Sequence, residues 1–212
     1  MYEVETKRNA LLGSQLVNAL EKRGFAAYYC ADKAAALAKA LELIPETDVV
    51  SWGGGVSVDE IGLKAAIKAR NKVIDRDLAK TPAEKTEIMR QALLCDTFLM
   101  SSNAISADGQ LVNIDGTGNR VAALVYGPKQ VVMVVGINKV AANLHGAMER
   151  ARNIAAPINA QRFAGLGTPC QEFGKCMDCQ NPNSICNQFL ITRRCKPAGR
   201  IKVILVGENL GF

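Results

Sequence analysis

Short apolar segments alternate with longer amphipathic stretches along this chain, and that alternation restricts the fold more than any other feature. Val4, Leu11, Leu12, Leu16 and Leu20 repeat at helical spacing, and Gly24 follows as a stop. The segment 25–30 reads as a strand, and Asp32 is placed to cap a helix running to Ile44, where Pro45 follows. A strand at 48–52, a helix from about Ser57 to Arg70 and a short strand at 72–74 come next. Thr81, Pro82 and Glu84 combine an N-cap, an N1 proline and a capping-box acid ahead of a helix to Leu94.

From Asp96 the rhythm changes. Residues 96–101 read as a strand, and two further strands flank Ala107-Asp108-Gly109 as a β-hairpin. A short helix after Gly118, a β-branched buried strand at 129–136 and a helix over 139–155 ended by Pro157 follow. Segments 189–194 and 201–206 read as closing strands. This order predicts an α/β fold, a three-layer sandwich with a mostly parallel central sheet and a Cys-rich loop near the C-terminus. At 212 residues the chain fits a single domain, residues 1–212, with a Cys-rich insertion at about 165–188.

Composition excludes several classes. With 49% hydrophobic and 22% charged residues the chain is neither disordered nor fibrous, and its apolar runs stop short of the ~18 residues of a membrane span. The N-terminal segment mixes acids and bases and lacks the apolar core of a secretory signal, so a cytoplasmic, reducing location is expected. The net charge of +6 resides wholly in residues 150–212, which hold nine basic and three acidic side chains. That excess would offset the negative charge of clustered thiolates, or simply form a solvated basic surface. Only 5% of residues are aromatic and none interleaves the basic run from Arg193 to Lys202, which argues against nucleic-acid binding.

Three constellations could carry chemistry. Gly53, Gly54 and Gly55 leave a strand and enter a helix at Ser57, so their backbone could approach an anion closely at a helix N-terminus. The spacing matches neither a dinucleotide fingerprint nor a phosphate-binding lysine loop, and Ser57 with Glu60 could equally form a capping box around a tight turn. The run Asp115-Gly116-Thr117-Gly118-Asn119-Arg120 places a carboxylate, hydroxyl, amide and guanidinium on one turn. Asp115 and Arg120 are therefore candidate catalytic residues, or else turn and cap partners of one another. Both loops would face one crevice if both lie at the carboxyl edge of the sheet.

Of seven cysteines, Cys30 and Cys95 stand alone, whereas Cys170, Cys176, Cys179 and Cys186 form a spaced set with a central Cys-x-x-Cys pair. Such a set suits four-thiolate coordination of zinc or an iron–sulfur cluster, and its spacing identifies neither; free thiols or a redox dithiol remain open. Cys195 lies beyond the set, with eight residues between it and Cys186. The single histidine, His145, excludes a multi-histidine metal site and reads as structural. Arg150, Arg152 and Arg162 flank Ala156-Pro157-Ile158-Asn159 and suit either an anionic ligand or a helix end.

The segments SWGGGVSVDEIGL, SSNAISADGQLVNIDGTGNRVAALVYGPKQVVMVVGINK, ARNIAAPINAQR, PCQEFGKCMDCQNPNSICN and RIKVILVGENLGF, in this order, resemble the LUD-domain family, named for lactate-utilisation proteins and including a lactate-utilisation protein C-like type. The resemblance implies a fold similar to phosphosugar isomerases and CoA transferases, whose glycine loops bind anionic substrates. It implies an accessory or subunit role in lactate or organic-acid oxidation with iron–sulfur oxidoreductase partners. Cys170, Cys176, Cys179 and Cys186 match the family's Cys-rich pattern, while Gly53 to Gly55 and Asp115 to Arg120 match its loops. The expected ligand is a small anionic metabolite. A stand-alone isomerase or transferase acting on a phosphosugar or CoA ester, and a non-catalytic scaffold with a structural metal knob, are the rivals; an oligomer is compatible with all three.

Overall fold

The computed structural model describes residues 2–212. The chain opens with α1 (Glu3–Lys22), β1 (Ala26–Cys30) and α2 (Lys33–Leu43), the last capped as expected by the Asp32 carboxylate accepting from the Ala35 amide at 2.8 Å. β2 (Val49–Trp52) follows, then α3 (Val56–Glu60) and α4 (Leu63–Arg70), so the helix expected over 57–70 is two pieces broken at Ile61-Gly62. β3 (Lys72–Ile74), α5 (Pro82–Gln91) and β4 (Thr97–Met100) complete this half, with Thr81 accepting from the Glu84 amide at the start of α5. The predicted hairpin is β5 (Ala104–Ser106) and β6 (Leu111–Asp115), which pair antiparallel. α6 (Asn119–Val125) and β7 (Gln130–Gly136) lead to a 3-10 turn at Ile137–Lys139 and the short β8 (Val140–Ala141).

α7 (Leu144–Arg150) passes through a π-helical turn at Ala151–Ala155 into α8 (Ala156–Ala160). Two expectations are corrected here. The helical region begins at Leu144, because residues 137–141 turn and add a strand, and it continues through Pro157 instead of ending there. Pro157 has no N–H and its ring crowds the carbonyl of Asn153, and a locally widened turn is a way to keep the helix going past such a residue. α9 (Pro169–Phe173) lies in the Cys-rich stretch, which is followed by β9 (Gln188–Thr192) and β10 (Ile201–Val206).

The architecture is α/β. Six strands in the order β1-β10-β7-β4-β2-β3 form a wholly parallel sheet. Its inner strands β10, β7, β4 and β2 are buried on both faces, and alternate residues part between two cores. Along β7, Val131, Met133 and Val135 join one core, while Val132 and Val134 join the other. On one face lie α2, α3 and α4, through Ala36, Ala40, Val58, Leu63 and Ile67. On the other lie α1 and α6, through Leu16, Leu20, Ala123 and Leu124.

A second sheet, β8-β5-β6-β9, packs on that same side, with Ile105 and Leu111 facing the central sheet. Its far side, through Ala104, Val112 and Ile114, buries Ala147 and Ala151 of the helical stretch. β9 pairs antiparallel with β6, so only β10 of the two closing strands enters the central sheet. The half-exposed Phe189 and Ile191 of β9 fit this edge position.

Candidate functional site

The parallel sheet sets the carboxyl ends of β2, β4 and β7 side by side, and the segments leaving them line one crevice of about 650 Å³. Gly54 and Gly55 come from the end of β2, Ser101, Ser102 and Asn103 from β4, and Lys139 from the turn after β7. Asp115, Gly116, Thr117, Asn119 and Arg120 close the opposite side, and Arg76, Lys85 and Arg162 stand at its margins. The two glycine loops therefore do meet. Gly53 shows how tightly: a Cβ built there would stand 2.9 Å from the Arg120 Cδ, so only glycine lets the first loop pass over that side chain.

Arg120 occupies the centre. It is buried, at 9% exposure, and its N–H groups are all engaged. Nη1 donates to the Ser101 carbonyl at 2.9 Å and the Asn113 Oδ1 at 2.8 Å; Nη2 donates to the Asn103 Oδ1 at 3.0 Å and the Ile114 carbonyl at 2.6 Å. Nε pairs with the Asp115 Oδ2 at 3.3 Å, while the Asp115 Oδ1 accepts from the Gly118 amide at 2.8 Å. Gly118 has φ +87°, a left-handed turn that suits glycine and brings the chain back to Asp115 before α6. Burial pushes the Arg120 pKa down and Asp115 opposes the shift. With every donor taken, Arg120 ties β4, β6 and both loops together and has no N–H left for a ligand.

Ser57 does not form a capping box with Glu60. The N-cap of α3 is Gly55; the Ser57 hydroxyl instead accepts from Lys139 Nζ at 3.0 Å, and Glu60 accepts from the Gly211 amide at 2.8 Å. α3 and α6 are five and seven residues long, so their dipoles offer little to an anion, and the positive charge of the crevice comes from side chains. Thr117 and Asn119 are hydrogen-bonded to each other at 2.7 Å on the rim.

Lys139 is the residue that sequence reasoning missed. It is 4% exposed, and its Nζ donates to the Ser57 and Ser101 hydroxyls, the latter at 3.1 Å. Among the described residues no carboxylate lies within ion-pair distance of it. Burial, reinforced by Arg150 and Arg120 and weakly opposed by Glu60, brings its pKa down to about 7. Arg76 was missed as well: its Nε makes no hydrogen bond and lies 3.7 Å from the Asp77 carboxylate, beside Gly54. A lysine at the first position of an expected helix and an arginine after a short strand carry no signal by themselves, because what distinguishes them is burial and company.

The four spaced cysteines converge elsewhere. Cys170, Cys176, Cys179 and Cys186 line one small cavity of about 50 Å³ with Arg152, Pro157 and Phe189. Asp178, inside the Cys-x-x-Cys turn, has φ +51° and pairs with Arg152 at 2.5 Å. Burial and the neighbouring Cys170, Cys176 and Cys179 thiols raise the Cys186 pKa to about 11, so this thiol is held in its neutral form at pH 7. As the side chains stand, no group of three or more His, Cys, Asp or Glu among the described residues is close enough to share a metal ion. Four thiols around one cavity beside a cation fit a four-thiolate group by donor chemistry; the fit of a single ion would require them to draw together.

Cys195 is not part of this set, being buried with its Sγ between the Pro197 carbonyl and the Ile201 amide; Cys30 and Cys95 are core residues. The cavity adjoins the crevice. Ile114 and Ile185 line both, and Asn187 clasps the second glycine loop by donating its amide to the Asp115 carbonyl and its side chain to the Gly116 carbonyl, each at 2.9 Å. Of the three flanking arginines, Arg162 lines the crevice, Arg152 the cavity, and Arg150 bonds the Asn138 and Asn103 carbonyls between them. His145 is exposed on α7 and belongs to neither.

Among known proteins, the LUD domain matches residues 13–206 of the chain. A DUF162 family protein from Deinococcus radiodurans has a similar fold, with TM-score 0.56 at 14% identity over 93% of this chain and 98% of that one. The delta subunit eIF2B delta of Chaetomium thermophilum matches with TM-score 0.34 at 17% identity, over 65% of this chain and 57% of its own. A D-ribose-5-phosphate isomerase in complex with phospho-erythronic acid matches with TM-score 0.35 at 17% identity, over 53% and 54%. No curated protein matches. No helix among the described residues is long and apolar enough to cross a membrane.

The two buried cations predict opposite effects. Arg120→Ala strands Asp115 and four acceptors and should cost ~3–5 kcal/mol in chemical denaturation; a cost under ~1 kcal/mol would refute its central place. Lys139→Met should stabilise by a few kcal/mol. The folded pKa near 7 lies below the unfolded value of ~10.4, so between them the unfolded chain binds more protons and wild-type stability rises with pH. The gain from Lys139→Met should thus be full at ~pH 6 and nearly gone at ~pH 10, and a gain that does not change with pH would contradict the assignment.

Proposed function

This chain belongs to the LUD-domain family, and from that premise we propose that its crevice binds a small anionic metabolite, a 2-hydroxy or 2-oxo acid, in organic-acid oxidation carried out with iron–sulfur partner proteins. The observation that carries the reading is the meeting of both glycine loops with Lys139 at the carboxyl edge of the sheet, where a buried ammonium has hydroxyl partners and no carboxylate. A carboxylate would complete it, since a buried cation that lacks a counter-ion favours an anion in its neighbourhood. Arg76 adds a partly unbonded guanidinium at the margin of the crevice. Asp115 and Arg120 serve by holding the loops in register. Gly54, Gly55 and Gly116 keep the floor open, and Ser57 presents its hydroxyl to Lys139.

Cys170, Cys176, Cys179 and Cys186 would hold a metal or an iron–sulfur cluster. A cluster would supply one-electron storage beside the crevice, and zinc would supply a structural clamp on the second glycine loop. A cluster spreads its four ligands over a wider frame than a single ion does, which suits thiols that surround a cavity without closing on one point. Among the described residues Ile114 and Ile185 alone stand on both walls, so the two sites would communicate over a short path.

Two measurements test this. Calorimetric titration with L-lactate and pyruvate should show binding to the wild type and a loss of at least ~10-fold in Gly54→Leu, whose side chain enters the crevice without requiring a left-handed backbone. Equal affinity in the variant would remove the crevice as the site. Turnover of a phosphosugar or CoA ester without organic-acid binding would transfer the assignment to an isomerase or transferase.

Separately, protein purified without oxygen should contain stoichiometric iron and sulfide, or zinc. The double variant Cys176→Ser/Cys186→Ser should lose it. Zinc with a colourless, redox-silent protein would favour the scaffold role, and wild-type protein free of metal would overturn the coordination proposal.

A further inference from the structure

We propose that Lys139 is an imine-forming residue whose Nζ condenses with the carbonyl carbon of a 2-oxo acid held in the crevice. The inference rests on the anion-binding reading above and gives it a chemistry. A nucleophilic lysine must be desolvated, free of carboxylates and flanked by groups that move protons. Lys139 meets that description. It is almost wholly buried yet forms part of the crevice wall, and its hydrogen-bond partners, the Ser57 and Ser101 hydroxyls, stand 3.4 Å from each other.

The charged groups around it are Arg150, Arg120 and Glu60. Both arginines are committed to carbonyl, amide or carboxylate acceptors, and Glu60 is bonded to the Gly211 amide. None of the three is left to pair with the ammonium, and the depressed pKa makes a substantial fraction of neutral amine available near pH 7. Among the described residues no second buried lysine lines the crevice: Lys85, the other lysine there, is exposed.

The step balances without a further reactant. The Nζ lone pair forms the C–N bond, the carbonyl oxygen takes a proton, and the carbinolamine then loses that oxygen as water while nitrogen gives up its remaining proton, leaving C=N. The Ser57 and Ser101 hydroxyls, each within hydrogen-bond reach of Nζ, are placed to relay those protons, and Arg76 is placed to take the substrate carboxylate. The class of ligand follows from size and charge: a short acid with a carbonyl next to its carboxylate brings anion and electrophile into one small volume.

The test uses the intact protein with pyruvate and sodium borohydride, which delivers hydride to the imine carbon and fixes the adduct as a secondary amine. Intact mass and peptide mapping should find one adduct, on Lys139. It should fall to background in Lys139→Met and Lys139→Arg, and Ser57→Ala should slow its formation by at least ~10-fold. Calorimetry with pyruvate is run in parallel. Pyruvate binding without an adduct on Lys139, or an adduct that maps to other lysines, would overturn the imine and leave the anion site standing. Neither binding nor adduct would overturn both. The wild-type mapping decides the matter even where a variant fails to fold.

Discussion

The structure depends on one buried guanidinium. Arg120 sits where the central sheet, the second sheet and both glycine loops come together, and its donors reach the Ser101 carbonyl after β4, the Asn103 side chain, Asn113 and Ile114 on β6, and Asp115 at that strand's end. A charge in that position is tolerable only because every N–H has an acceptor. The demand is strong enough that Asn113 turns its oxygen to Arg120 and leaves its own NH₂ group unpartnered. Gly53 follows from the same constraint, since the first loop must cross directly over the arginine side chain. The glycine at position 53 is thus explained by packing around a fixed charge.

That arrangement has an electrostatic consequence. Arg120 is compensated by Asp115, but Lys139, a short distance away, is compensated only by two serine hydroxyls. The crevice is therefore left with an unpaired positive group at its wall, in surroundings dry enough to move that group's pKa to about 7. In the proposed reading, charge recognition and nucleophilic reactivity are two uses of the same burial. The Cys cavity shares Ile114 and Ile185 with this crevice, and Asn187, which follows Cys186, clasps the crevice's second loop.

Much of this was legible from residue order. The β-branched run at 131–135 and the apolar run at 201–206 announce strands buried on both faces, and Asp32 and Thr81 cap the helices they precede. Cys170, Cys176, Cys179 and Cys186, a spaced set in the sequence, line one cavity, although among the described residues no three such groups stand close enough to share an ion. Other features were hidden for physical reasons. Pro157 stops a regular helix, but a π turn absorbs it. Residues 189–192 have the pattern of a sheet strand, yet nothing local says which sheet they join. Lys139 sits in a stretch with helical periodicity, where a lysine is expected on the solvent side; its burial comes from Ser57 and Ser101, 82 and 38 residues away in sequence. Long-range encounters of that kind leave no trace in local spacing.

The most direct test of the account is a crystal structure of the protein grown with pyruvate. The account predicts the ligand between the Gly54 loop and Ser101, its carboxylate within hydrogen-bond distance of Arg76 and its carbonyl carbon facing or bonded to Lys139 Nζ. Pyruvate bound elsewhere, with only ordered water against Lys139, would contradict it.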